Sequence, residues 1–230
     1  MSRNEPFKRK GNVVIKYFRD PVSGLTHFAG FILAIIGTVF LVIRACDPVN
    51  PIHIVSFSIF GAGMIMVYLA SALYHLLPLS ETGVAVMRRV DHMSIFFIIA
   101  ATYTPICTIA LKGLWGISIL SCVWAFAFLG LFIKIFWMNA PRWLSTALYL
   151  MMGWLCIVAI IPLIRNLQTG ALLWLLAGGI FYSVGAVIYA IKRPRLWPPV
   201  FGFHELFHIF IMLGTVSHFI VMYNYVSLFT

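Results

Sequence analysis

The sequence predicts an all-α membrane protein, a bundle of seven transmembrane helices with its N-terminus in the cytoplasm and its C-terminus outside. Three observations support this prediction. The 230 residues are 62% hydrophobic and only 10% charged. Apolar runs of about 20 residues recur along the chain, which is the length that an α-helix needs to cross a bilayer. The basic residues collect on one side of the predicted membrane, as the positive-inside rule requires of the cytoplasmic side.

The composition excludes an ordinary soluble domain, which is about 45–50% apolar and about 25% charged. The formal net charge is +10, and Asp and Glu together number six. Because the basic residues lie between apolar runs, we expect them to set topology and to meet anionic lipid headgroups, and we expect no nucleic-acid partner. The four cysteines lie in or beside apolar runs without C-x-x-C spacing, which indicates packing residues and not a disulfide or metal framework.

Seven apolar segments satisfy the length criterion, and each is expected to be helical because the bilayer offers no water to satisfy an irregular backbone. The segments are residues 25–46, 52–77, 92–111, 114–136, 143–164, 170–191 and 202–229. Residues 1–23 are expected to form a basic cytoplasmic N-terminal segment, and residues 24–230 the transmembrane domain. The first apolar run lacks an A-x-A-like cleavage site, which indicates a retained span and not a signal peptide.

The distribution of Lys and Arg gives the bundle its predicted direction. With a cytoplasmic N-terminus, 13 of the 16 basic residues lie on the cytoplasmic side and 3 lie outside. The outer three are Arg44, Lys112 and Arg165. The positive-inside rule therefore assigns the N-terminus to the cytoplasm and, after seven spans, the C-terminus to the outside.

Most of the ionisable residues at the edges of the spans lie in one layer. Such residues are costly to bury and indicate a functional site by default. Five of the seven histidines and one aspartate fall at the predicted cytoplasmic ends of the helices: His27, His75, Asp91, His92, His204 and His208. His53 falls on the outer side, and His218 lies about 21 Å further along its helix than His204, at ~1.5 Å per residue.

The spacing of these residues predicts a zinc site. His204 and His208 are four residues apart and share a helix face, so both imidazoles can reach one cation. His75, on a neighbouring helix, would supply a third nitrogen. Three protein ligands with one water form a catalytic zinc site, whereas a fourth protein ligand would make the site structural.

Two further residues are candidate catalytic groups. Asp91 could bind the metal directly or accept a hydrogen bond from the water that the metal activates, and we favour the second role. Ser71 lies one turn deeper than His75 on the same helix face, where it could orient Asp91 or a substrate carbonyl.

The remaining histidines have simpler interpretations. A lone histidine at a helix end usually lies at the interface, and we expect His53 to face lipid headgroups. His27 and His92 could support the ligand histidines or be packing residues. His218 is expected to pack or to form hydrogen bonds within the bundle.

Residues 204–208 also match H-E-x-x-H, the zincin motif in which the glutamate acts as general base. Intramembrane metalloproteases use this motif, so Glu205 leaves a protease open as an alternative. The third ligand of such proteases is usually a distant carboxylate, whereas His75 is the obvious partner here.

Taken together, the motifs resemble the hemolysin III family, the bacterial branch of the progestin and adipoQ receptor group. That group belongs to a wider superfamily of seven-helix metal-dependent hydrolases that includes alkaline ceramidases. The resemblance extends from about residue 17 to the end of the chain. It is carried by Ser71-x-x-x-His75, Thr26-His27, residues 72–75, Asp91-His92, residues 103–105 and residues 202–208. The resemblance implies zinc held by His75, His204 and His208, with Asp91 positioning the attacking water. It also implies that Glu205 is the usual bacterial residue at its position and need not indicate a protease.

The expected activity is zinc-dependent hydrolysis of an amide or ester, with a membrane lipid or lipid-like molecule as substrate or ligand. The resemblance places the protein in a bacterial inner (plasma) membrane with a role in membrane lipid homeostasis. One alternative is a lipid or membrane-state sensor in which the same zinc is structural. A pore-forming haemolysin is a further alternative, although seven uninterrupted apolar spans are typical of a resident membrane protein.

Overall fold

A computed structural model describes residues 18–137, 140–197 and 200–229. Within this part of the chain, seven helices are long and apolar enough to cross a membrane, and the described residues contain no strand. The prediction of an all-helical, seven-span protein is therefore confirmed. The helices are α1 (Pro21–Ala45), α2 (Pro51–Leu76), α3 (Glu81–Pro105), α4 (Gly113–Phe136), α5 (Arg142–Trp154), α6 (Thr169–Ile191) and α7 (Phe203–Asn224).

The helices pack mainly against their neighbours in the chain, and α7 also packs against α1, which closes the bundle. α5 contacts both α3 and α6. Aromatic side chains such as Phe57, Phe60 and Phe96 are fully buried in the core. Many large apolar side chains point outward instead, as a lipid solvent permits: Leu33, Phe128, Ile161 and Leu173 are examples. The closure of α7 on α1 brings the first and last helices together at one end of the bundle.

The third helix begins much earlier than the sequence predicts. Residues 78–90 are expected to be a connection, but α3 starts at Glu81 and not at residue 92. The Ser80 side chain caps this helix by accepting a hydrogen bond from the Gly83 N–H at 3.2 Å, and Glu81 places a carboxylate in the first turn. Arg88 and Arg89 therefore lie on an exposed helical turn, which hydropathy alone does not separate from a loop.

The fifth span is interrupted within the membrane. After Trp154 the chain forms a 3₁₀ turn over Leu155–Ala159 and then returns to α-helix over Ile160–Asn166. The Tyr103 hydroxyl fills the gap in backbone hydrogen bonding. It accepts from the Cys156 N–H at 3.0 Å and faces the Met152 and Gly153 carbonyl oxygens at 2.9 and 2.8 Å, to which its O–H donates. Tyr103 thus provides hydrogen-bond partners for backbone groups that have none from water or from a regular helix.

A lysine is buried between α4 and α5. Lys134 is 4% exposed, and its ammonium donates a hydrogen bond to the Ser145 hydroxyl at 2.6 Å. Among the described residues, no carboxylate forms a salt bridge with it. The position fits the predicted cytoplasmic end of α4, but this cation binds a neighbouring helix instead of extending into the cytoplasm.

Candidate metal site

Three histidines from two helices meet at one end of the bundle. His75 lies in the last turn of α2, and His204 and His208 lie in the first two turns of α7. The C-terminal end of α2 and the N-terminal end of α7 lie side by side because both helices pack against α1. His75 and His208 are buried and His204 is half-buried.

The three imidazoles are close enough to share one ion. One ligand atom from each of His75, His204 and His208 lies within 4.8 Å of the other two. The Nε2 atoms of His75 and His204 are 3.1 Å apart. The ring centroids are separated by 4.6 to 5.1 Å. The structure therefore brings together the three residues that the sequence predicts as ligands.

Hydrogen bonds made by the other ring nitrogens leave two of these histidines with an available Nε2. His75 Nδ1 lies 3.3 Å from Asp20 Oδ2, and His208 Nδ1 lies 3.2 Å from the Ser23 carbonyl oxygen. An ionised carboxylate and a carbonyl oxygen can only accept, so each Nδ1 carries the proton. In a neutral ring the Nε2 then holds a lone pair, which is the form that binds a metal.

The spacing of the nitrogens suits zinc. Two nitrogens bound to one zinc ion at about 2.0–2.1 Å with tetrahedral geometry lie about 3.3 Å apart. The observed separation between His75 Nε2 and His204 Nε2 is 3.1 Å. An all-imidazole donor set is one that zinc accepts readily in proteins. The residues present therefore fit this metal.

Asp91 lies near His75 but is not a member of the group that could hold the metal. Its carboxylate is close enough to His75 for their charges to interact and close enough to Ser71 for the hydroxyl to donate a hydrogen bond. Ser71 is buried one turn deeper than His75 on α2. Asp91 and Ser71 thus form a polar pair next to the candidate metal position.

Asp20 is a component of the site that no motif in the sequence identifies. It directly precedes α1, and its carboxylate also lies 3.5 Å from Arg19 Nε. The hydrogen bond with His75 lowers the pKa of the Asp20 carboxyl below its ordinary value, although partial burial opposes this shift. The available sequence signal is that Asp20 is one of only six acidic residues and lies seven residues before His27.

His27 contacts a candidate ligand directly. Its ring stacks on that of His208 with centroids 3.7 Å apart and an angle of 15° between the planes. The Tyr68 ring contacts the His27 ring edge-on, with centroids 5.1 Å apart. The stacking on His208 is a packing contact, and packing is one of the two roles that the sequence leaves open for His27.

Glu205 is directed away from the candidate metal position. Its Oε2 accepts a hydrogen bond from the Gly202 N–H at 2.8 Å, and its Oε1 accepts from the Ser23 hydroxyl at 3.1 Å. The carboxylate therefore caps the N-terminus of α7 and ties it to α1. Both oxygens are engaged in contacts other than those of a general base.

The remaining histidines lie outside this group. His92 Nδ1 lies 2.6 Å from the Arg88 carbonyl oxygen, and His218 Nδ1 donates to the Gly214 carbonyl at 2.9 Å while its ring stacks on Tyr182. The packing and hydrogen-bonding role predicted for His218 is thus confirmed. The prediction for His53 is wrong, because this side chain is 5% exposed and does not face headgroups. It shares a face of α2 with the fully buried Phe57, four residues on, and that face points into the bundle.

Comparison with known proteins finds similarity to haemolysin-III-related proteins over nearly the whole chain. The family model described as "Haemolysin-III related" matches residues 15–219. The chain is 37% identical over 203 residues to the "Hemolysin-3 homolog" of Bacillus subtilis (strain 168), covering 88% of this chain and 92% of that protein. It is 36% identical over 206 residues to "Hemolysin-3" of Bacillus cereus, covering 89% and 90%. A more distant relative is "Heptahelical transmembrane protein ADIPOR3" of Oryza sativa subsp. japonica, 27% identical over 196 residues, with 74% of this chain and 46% of that protein covered.

Proposed function

Since the chain belongs to the haemolysin-III-related family of membrane proteins, we propose that it is a zinc-dependent hydrolase of a lipid-like amide or ester, with a role in membrane lipid homeostasis. The observation that carries this proposal is the group formed by His75, His204 and His208, with a carboxylate beside it but not in it. Three protein ligands leave one coordination position open, which is the arrangement typical of catalytic zinc.

The chain's own residues supply the remaining parts of a hydrolytic site. Zinc bound by the three imidazoles would lower the pKa of a coordinated water toward neutrality and polarise a carbonyl. In this proposal Asp91 accepts a proton from the attacking water and returns it to the leaving group. Ser71 orients the Asp91 carboxylate and can donate a hydrogen bond to the developing oxyanion.

The position of the site supports an amphiphilic substrate. The candidate metal site lies at one end of an apolar bundle, at the cytoplasmic boundary by the positive-inside assignment. A lipid-like molecule would place its polar amide or ester in this layer and its chain along the apolar helices. We accordingly assign the protein to the plasma membrane, with membrane lipid as its partner. The two relatives from Bacillus support a bacterial membrane.

The experiment that tests the proposal compares wild type with Asp91→Asn, both loaded with zinc, against a panel of lipid amides and esters. Positioned proton transfer contributes about 10²–10⁴-fold to rates, so turnover of an accepted lipid should fall at least about 100-fold in the variant. Zinc content should stay the same, because Asp91 is not among the ligands. Glu81→Gln, which neutralises an exposed carboxylate at the start of α3, should retain wild-type turnover. Equal turnover by wild type and Asp91→Asn would contradict the role of Asp91, and a wild-type protein that hydrolyses no lipid in the panel in a zinc-dependent manner would contradict the hydrolase.

A non-catalytic lipid or membrane-state sensor with a structural zinc is the second candidate. The ligand histidines come from α2 and α7, and two of them hydrogen-bond to residues at the start of α1. An ion at this position would therefore hold three helices together. This function predicts that zinc removal lowers the melting temperature substantially while no lipid in the panel is hydrolysed. A wild-type protein that turns over a lipid in a zinc-dependent manner would exclude it.

A further inference from the structure

Residues at the start of α1 contact two of the three candidate ligands without contributing a ligand themselves. Asp20 accepts a hydrogen bond from His75, and the Ser23 carbonyl oxygen accepts one from His208. In each case the contact is made by Nδ1, and the Nε2 of His75 lies 3.1 Å from the Nε2 of His204. One short segment thus sets the tautomer and the ring orientation of histidines on two different helices.

Asp20 is held to His75 by two separate contacts. Besides the carboxylate contact at 3.3 Å, the Asp20 N–H donates to the His75 carbonyl oxygen at 2.9 Å. The backbone bond fixes where Asp20 lies relative to the end of α2, and the carboxylate then meets the imidazole of the same residue. A surface carboxylate that met a histidine by chance would lack this second constraint.

Arg19 reinforces the arrangement from the exposed side. Its guanidinium lies 4.1 Å from the centroid of the Tyr74 ring, and its Nε is 3.5 Å from Asp20 Oδ2. Arg19 therefore connects the residue before His75 with the carboxylate that contacts His75.

We infer that Asp20 is a positioning residue of the zinc site: it holds His75 with its Nε2 lone pair directed toward His204 and His208. This inference rests on the proposed zinc site and extends it to a residue that binds neither metal nor substrate. A carboxylate hydrogen-bonded to a ligand histidine raises the basicity of the ligand and restricts its rotation. Loss of such a partner typically costs 10–100-fold in metal affinity.

The test is the zinc dissociation constant of the full-length protein in detergent, measured by competition with a chelator for wild type, Asp20→Ala and Asp20→Asn. Asp20→Ala should bind zinc about 10–100-fold more weakly. Asp20→Asn keeps an acceptor oxygen but loses the charge, and it should show a smaller loss. Asp47→Ala removes an exposed aspartate just after α1, at the opposite end of that helix, and should bind zinc as the wild type does.

A second readout separates positioning from a general effect on folding. If Asp20 only stabilised the fold, its replacement would lower the melting temperatures of the zinc-free and zinc-loaded proteins equally. Positioning predicts that the rise in melting temperature on adding zinc becomes smaller, because that rise depends on affinity. Should Asp20→Ala fail to fold, the isosteric Asp20→Asn gives the same comparison.

The outcomes distinguish the inference from the function on which it rests. Wild-type protein that binds no zinc overturns the proposed function and this inference together. Wild-type protein that binds zinc, with Asp20→Ala and Asp20→Asn equal to it in affinity and in zinc-induced stabilisation, overturns only the role of Asp20. A loss confined to the Asp20 variants, with Asp47→Ala unchanged, supports it.

Discussion

For single residues, the partner of one ring nitrogen decides what the other nitrogen can do. His75 and His208 each donate from Nδ1 to a fixed acceptor, so a neutral ring leaves the Nε2 of each as an acceptor. The same reasoning applies to carboxylates. Asp91 interacts with His75 and Ser71, whereas both oxygens of Glu205 are occupied by the N-terminus of α7 and by Ser23.

The first prediction concerns Glu205, the residue on which the protease alternative depends. Replacing Glu205 with Gln should leave zinc content and lipid turnover nearly unchanged, because the carboxylate caps a helix. The unfolding free energy should fall by about 1 kcal/mol, the usual value of a helix N-cap, which a thermal melt in detergent would detect. Ser23→Ala, which removes the hydroxyl partner of the same carboxylate, serves as the matched control and should give a comparable loss of stability.

A loss of turnover of more than about 100-fold in Glu205→Gln, with zinc retained, would give Glu205 the general-base role of the zincin motif. It would also contradict the capping role as the main function of this residue.

The sequence predicts the three histidines, Asp91 and Ser71, but neither the contact of Asp20 with His75 nor the helix cap formed by Glu205. The i, i+4 spacing and the predicted helix directions are sufficient to bring His75 close to His204 and His208. Asp20 depends on how the start of α1 lies against the end of α2, which no periodicity encodes. For Glu205 the five-residue motif suggests catalysis, whereas the structure shows that its carboxylate accepts a hydrogen bond from the Gly202 N–H and caps α7.

At the scale of the helices, hydropathy predicts the spans but not the points at which a helix begins or is interrupted. A continuous apolar run predicts one helix over residues 143–164, but the backbone changes to a 3₁₀ turn at Leu155–Ala159. The reason is a side chain from another helix, since the Tyr103 hydroxyl supplies the hydrogen bonds that the turn lacks. The early start of α3 has a local cause, the Ser80 cap, within a segment too polar to count as membrane-spanning.

The second prediction tests this support of the fifth span. Tyr103→Phe keeps the ring but removes the hydroxyl, which leaves the Cys156 N–H and the facing carbonyl oxygens without their partner. An unsatisfied buried polar group costs about 1–3 kcal/mol, so the melting temperature should fall accordingly. Tyr74→Phe, which retains the ring beneath the Arg19 guanidinium, is the matched control and should change stability by less than about 0.5 kcal/mol. Equal stability of Tyr103→Phe and wild type would show that the turn does not depend on the hydroxyl.

For the molecule as a whole, the uneven distribution of Lys and Arg and the packing of α7 against α1 together predict on which side of the membrane the site lies. Seven spans are expected to put the two termini on opposite sides, and the sequence then assigns 13 of the 16 basic residues to the side of the N-terminus. The packing of α7 against α1 brings the starts of these two helices together at that same side. The candidate metal site is therefore expected to open toward the inner leaflet.

The third prediction tests this orientation. Cys46 is exposed at the end of α1 that the positive-inside rule places outside. A membrane-impermeant maleimide should label it in intact spheroplasts, and Cys46→Ser should lose this label. A cysteine introduced by Lys192→Cys, at the end of α6, in the protein that also carries Cys46→Ser should react only after the membrane is opened. The reverse pattern would place the histidine group at the outer leaflet.

The most direct test of the three-histidine site is zinc K-edge X-ray absorption spectroscopy of the purified full-length protein. We predict about one zinc per chain, with three imidazole nitrogens at about 2.0–2.1 Å and one further light-atom ligand. His204→Ala should lose one imidazole from this coordination or fail to retain the ion. A folded wild-type protein without zinc, a spectrum dominated by sulfur at about 2.3 Å, or an unchanged spectrum in His204→Ala would contradict the site.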